Sequence, residues 1–133
     1  LYDLAGKYRG MVLSTDNYTE LLLGFWTLHG DVGDYGMIQN IWKTEVYEMA
    51  RYLVEQSEDT EQAEALKKCI EAVPTDGLGI TNSDLDQIGA SSYEEVDQIL
   101  IHYLKNPNDA DIIKHKVVQR KTGFCFRWSR QKQ

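Results

Sequence analysis

The sequence predicts a predominantly helical α+β domain: four to five helices packed as a compact bundle with a C-terminal antiparallel β-hairpin. Three observations predict it. Apolar residues recur at i, i+3 and i+4 through most of residues 17–104, the spacing of one helix face. Helix signals punctuate that pattern, with Asn17 and Ser92 at starts and Gly30, Pro74, Gly89 and Asn106-Pro107-Asn108 at ends. Beyond residue 111 the character changes to two β-rich runs, Ile112 to Gln119 and Gly123 to Trp128, around the polar turn Arg120-Lys121-Thr122-Gly123.

Residues 1–16 are weakly patterned, and Gly6 and Gly10 argue against a strong helix there. Asn17 with Glu20 three positions on is a capping-box start for a helix from Asn17 to Leu28. Tyr18, Leu21, Leu22 and Phe25 share its face, and a hairpin of residues 8–14 and 19–28 is the rival reading. Three glycines make residues 29–36 a loop. A long helix follows from Tyr35 to Gln56, with Ile38, Ile41, Trp42, Val46, Met49, Tyr52 and Leu53 on one side. Glu61 to Val73 is the third helix, turning Leu66, Cys69, Ile70 and Val73 inward. Thr81 with Asp84 caps a short helix to Ile88. Ser92 with Glu95 caps the next, which carries the stripe Tyr93, Val96, Ile99, Leu100, Tyr103 and Leu104. The expected core joins Trp42, Val46, Met49, Leu66 and Ile70 to Val96, Ile99 and Leu100.

With 133 residues the chain reads as one domain, 1–133, in which 112–133 form a basic hairpin and tail. No apolar run approaches 18 residues, and no signal peptide is visible, although the chain begins at Leu1 rather than Met. Cys69 and Cys125 read as small core hydrophobes; whether they pair stays open. With three scattered histidines they make no zinc framework. A reducing, cytoplasmic location is expected.

Charge is unevenly spread. Of 14 Lys/Arg and 21 Asp/Glu, seven basic residues and no acid fall in 112–133, so that segment carries +7 and the body −14. Such asymmetry points to a partner more than to a fold. The expected function is therefore non-enzymatic: a small, soluble, acidic protein-binding or regulatory module of inhibitor, immunity or adapter type. Its contacts would be Lys116, Arg120, Lys121, Arg127 and Arg130 on the basic side and Glu94, Glu95 and Asp97 on the acidic side. The alternative is an RNA or single-stranded nucleic-acid binder, because Phe124, Phe126 and Trp128 are woven into the basic segment and could stack bases.

The element order of 61–128 resembles a winged helix-turn-helix domain. That resemblance implies a reading helix, yet the helix after Ser92 opens with Glu94, Glu95 and Asp97, which repel phosphate. A third reading puts a small enzyme or metal site at the loop holding His29, Asp31 and Asp34. Its spacing matches no EF-hand, and no GxSxG, phosphate-loop or HExxH motif is present. No catalytic residue, metal or cofactor is assigned.

Overall fold

The computed structural model describes residues 1–25, 33–75 and 82–119. In chain order these form α1 (Tyr2–Tyr8), β1 (Leu13–Ser14), α2 (Tyr18–Leu23), β2 (Tyr35–Gly36), α3 (Lys43–Gln56), α4 (Thr60–Glu71), α5 (Asp84–Ile88), α6 (Tyr93–Lys105) and α7 (Ala110–Ile113). No helix among them is long and apolar enough to cross a membrane.

The capping box at Asn17 forms as its sequence dictates. The Asn17 side chain accepts from the Glu20 N–H at 3.0 Å, and the Glu20 carboxylate accepts from the Asn17 N–H at 3.1 Å. The helical reading holds over its rival hairpin for Tyr18–Leu23, but the helix stops short of the predicted Leu28, because Gly24 takes up the left-handed region at φ 73°. Ser92 likewise caps α6, accepting from the Glu95 N–H. Ser83 caps α5; the expected cap, Thr81, lies outside the described residues.

The strand pair corrects the predicted fold class. β1 and β2 run parallel, with Leu13 opposite Tyr35 and Ser14 opposite Gly36. Parallel neighbours cannot be joined by a tight turn and need a crossover, usually helical. Here α2 lies in that connection, which is α/β organisation. Gly33 permits the approach: a Cβ there would overlap the β1 backbone, 2.8 Å from the Leu13 carbonyl carbon.

The predicted C-terminal antiparallel hairpin is also corrected. Its first arm, Ile112 to Gln119, is helical: α7 ends at Ile113 and residues 116–119 form another helical turn. Asp109 starts α7 by accepting from the Asp111 and Ile112 N–H groups. Val117 and Val118 are fully buried, so packing overrides the β preference of β-branched residues. The second arm, 123–128, lies outside the described residues. With its first arm helical, the order of 61–119 has no wing.

Two more boundaries differ. α3 begins at Lys43, and 35–42 hold β2 and a turn instead of helix. α1 forms where weak patterning predicted little, and none of its residues is buried.

The core gathers Leu23 of α2, Ile88 of α5, Tyr93, Val96 and Leu100 of α6, and Val117, with Trp42 and Ile99 packed against it. α3 packs chiefly on α4. Of the expected core, Val96 and Leu100 are fully buried and Met49 is half exposed. Val46, Leu66 and Ile70 are only half-buried. They line a separate cavity between α3 and α4.

Candidate functional site at the meeting of three helices

The site grows from a problem in helix chemistry. The first N–H groups of a helix lack intrahelical partners. Trp42, at the N-cap of α3, has no oxygen to offer, and the structure supplies acceptors from elsewhere. The Lys43 N–H donates to Thr19 Oγ1 of α2 at 2.9 Å. The Thr44 N–H donates to Asp97 Oδ2 of α6 at 3.0 Å. The Trp42 N–H is taken by the Glu45 carboxylate at 2.8 Å.

Asp97 is the hub. It is 2% exposed, and its two oxygens also accept from Thr19 Oγ1 at 2.6 Å and Thr44 Oγ1 at 2.8 Å. A buried carboxylate is costly unless hydrogen-bonded. Here it has three donors, and it sits at the positive end of the α3 dipole.

Lys43 opens this node to chemistry. Its ammonium pairs with Glu20 Oε1 at 2.6 Å, with side-chain exposures of 17% and 20%. The same ammonium lies 5.3 Å from the Tyr93 ring centroid and 5.9 Å from that of Tyr47, within cation–π range. Tyr93 donates its hydroxyl to Asp84 Oδ2 at 3.3 Å. Burial, then the negative charges of Asp84 and Glu20, raise the Tyr93 phenol well above its ordinary pKa.

Lys43 and Tyr47 also border a cavity of about 360 Å³, lined besides by Val46, Leu66, Cys69 and Ile70. A cation held between two aromatic faces and a carboxylate, beside an apolar recess, suits a ligand with a flat apolar part and negative charge.

The residues singled out from the sequence disperse. Asp97 is buried inside the node. Glu94 is exposed and Glu95 half-buried on the first turn of α6. Glu95 accepts from the Ser91 hydroxyl and N–H, which hold its carboxyl below the ordinary range. Lys116 is exposed, its stem near Gly89. Arg120, Lys121, Arg127 and Arg130 lie outside the described residues, as do Phe124, Phe126, Trp128, Cys125, His29 and Asp31. Asp34 accepts from the Val12 N–H at 2.9 Å and so ties its loop to β1. Among the described residues, no three His, Cys, Asp or Glu side chains gather as a metal site. Cys69, expected in the core, is exposed and free.

The sequence reading missed Thr19, Thr44 and Lys43, and saw Glu20 only as a cap. One signal was present: Lys43 is the lone Lys or Arg between Arg9 and Arg51, amid acids and aromatics. The Asp97 contacts left no local trace, since Thr19 and Thr44 are 78 and 53 residues away.

The sequence signature of the NAD synthase family matches residues 1–130. The NH3-dependent NAD+ synthetase of Thermoplasma acidophilum is 42% identical over 101 residues, 75% of this chain and 37% of that protein. That of Methanocaldococcus jannaschii is 32% identical over 123 residues, 92% of this chain and 43% of that protein. The glutamine-dependent NAD+ synthetase of Acinetobacter baylyi is 35% identical over 115 residues, 85% of this chain and 20% of that protein. The chain thus spans about two fifths of the ammonia-dependent relatives or less. The structure of NMN synthetase from Francisella tularensis shares the fold, with a TM-score of 0.66 at 24% identity over 100% of this chain and 48% of that one. These likenesses overturn the reading of a non-enzymatic regulatory module with a protein or nucleic-acid partner, because the matched family is one of synthetases. Charge asymmetry misled because it reports a surface field and carries no information about chemistry.

Proposed function

The chain belongs to the NAD synthase family, and from that membership we propose that it forms part of an ammonia-dependent NAD+ synthetase. Product and nitrogen source together define the reaction class. Ammonia enters the dinucleotide as the nitrogen of its carboxamide, replacing one oxygen of a carboxylate. That oxygen must first become a leaving group. It attacks phosphorus of a nucleoside triphosphate, expelling pyrophosphate from the α position or nucleoside diphosphate from the γ position. The ammonia lone pair then adds to the activated carbonyl carbon. The phosphorylated oxygen leaves with the C–O bonding pair, and the nitrogen sheds a proton.

The observation that carries this reading is the family match across residues 1–130. Two of the ammonia-dependent relatives are 42% and 40% identical over 101 residues, and on that likeness we assign free ammonia as the nitrogen donor. Lys43 is assigned to the negative charge of the bound nucleotide, a task for a fixed cation at the edge of a recess. Thr19, Thr44 and Asp97 position it by fixing the start of α3. We place the protein in the cytoplasm, where reducing conditions suit the exposed thiol of Cys69.

The test supplies the protein, in its native length, with ammonium, ATP, magnesium and the carboxylate analogue of NAD+. NAD+ is read by coupling to a dehydrogenase. One ammonia should be consumed per NAD+ formed. Lys43→Met, which keeps the apolar stem, should lower kcat/KM about a hundredfold. Folded protein that forms no NAD+ overturns the reading.

A further inference from the structure

A lysine stem is flexible, and ordering it costs rotamer entropy. Two contacts order Lys43. The first is the Glu20 carboxylate, 2.6 Å from the ammonium. That contact fixes the cation but also offsets its charge, which makes it less useful to an anion. The second is the Tyr93 ring, whose centroid lies 5.3 Å from Nζ. A ring attracts a cation through its quadrupole and carries no net charge. It therefore restrains the ammonium without cancelling its field.

Tyr93 is itself well fixed. It opens α6 directly after the cap Ser92 and is only 6% exposed, packed in the core with Val96 and Leu100. Its hydroxyl donates to Asp84 Oδ2 at 3.3 Å, so the polar end is turned to α5 and the ring is what Lys43 meets. Asp84 is anchored in turn, because its N–H donates to the Pro74 carbonyl at 2.9 Å. Tyr47, one turn after Lys43 on α3, offers a second ring at a looser 5.9 Å. Tyr47 divides its ring between Lys43 and Arg51, whose guanidinium lies 5.8 Å from its centroid. We propose that Tyr93 is a positioning residue, whose ring face holds the Lys43 ammonium in place and still charged for the anionic group of the nucleotide. The proposal rests on the assignment of Lys43 to that charge. Tyr93 acts through Lys43.

The test changes the quadrupole and keeps the shape. In the native-length protein, Tyr93→Phe retains the ring face and serves as the reference. Tyr93→pentafluorophenylalanine retains the ring outline but loses its negative face. Its kcat/KM for ATP should lie about tenfold below that of Tyr93→Phe. With Lys43→Met added to each, the two should be equal, because a residue that acts through Lys43 then has nothing to act on. Equal rates with Lys43 present overturn the proposal. So does an undiminished gap with Lys43 absent, which is the mark of a structural role. A second readout needs neither activity nor a variant of Tyr93. The Lys43 ε-methylene protons, assigned by their loss in Lys43→Met, should resonate upfield of the other lysines through ring current. They should stay upfield in Tyr47→Leu. Protons at the ordinary lysine position, or returned to it by Tyr47→Leu, overturn the proposal. Protein that forms no NAD+ fails the reaction assignment, while the proton shift separately decides whether Tyr93 holds the ammonium.

Discussion

Asp97 shows what one side chain can hold together. Its carboxylate accepts from Thr19 Oγ1, Thr44 Oγ1 and the Thr44 N–H. Asp97→Asn keeps the shape but replaces one oxygen with a donor facing another donor. The variant should be destabilised by about 3 kcal/mol, from several lost charged hydrogen bonds and unsatisfied buried groups. Asp97→Ala should be little worse, and urea unfolding checks both. Equal stability of Asp97→Asn and the parent would mean that the carboxylate is not the acceptor it resembles. Tyr93 carries a pH signature. Its phenol is held protonated by burial first and by Asp84 and Glu20 next. Its folded pKa is raised, so its contribution is fully present below the unfolded value near 10 and is lost as pH rises from there. Stability should fall by roughly 1.4 kcal/mol per pH unit above about pH 10. Tyr93→Phe should remove that part of the alkaline slope in thermal melts.

At the scale of elements, the helices are held at their starts. Ser92 accepts from the Glu95 N–H at 3.3 Å, as a serine N-cap should. Ser92→Ala should cost about 1 kcal/mol and Ser92→Gly only a few tenths, measured by chemical denaturation. Equal losses in the two variants would point to side-chain packing instead of capping. Acid acts on the same helix ends. The Glu95 carboxyl is held below its ordinary range by Ser91, and that of Asp109 by His102 and then the Ile112 and Asp111 N–H groups. A depressed carboxyl contributes above its unfolded pKa and loses that contribution as pH falls through the folded one. Both carboxyls are solvent-screened, so their share of acid unfolding is small.

For the whole molecule, stability concentrates where α2, α5, α6 and the 116–119 turn converge. Leu100 is fully buried there, and Leu100→Ala should cost about 2–5 kcal/mol, the transfer and cavity terms together. A loss under about half a kcal/mol in the denaturant midpoint analysis would place Leu100 outside the core. The α3–α4 pair is built differently. Its facing side chains are half-buried around a cavity, which suits a binding recess better than a stabilising core.

The sequence by itself determined whatever depends on neighbours a few positions apart. Asn17 with Glu20 starts α2 and Ser92 with Glu95 starts α6, because a cap and its target lie within one turn. The α6 stripe of Val96 and Leu100 was legible because helical periodicity is local. Tertiary structure decided the rest. α3 starts at Lys43 because Thr19 and Asp97 come from other helices to receive its free N–H groups, and locally only Glu45, three residues after Trp42, marks that start. Residues 112–119 became helical because burying Val117 and Val118 outweighs the intrinsic preference of β-branched residues. The parallel pairing of Leu13 with Tyr35 joins residues 22 apart across a crossover, which two-residue strands cannot signal. The candidate site was illegible for the same reason. Glu20, Lys43 and Asp97 become neighbours only when three helix ends meet, and spacing along the chain records nothing of that meeting.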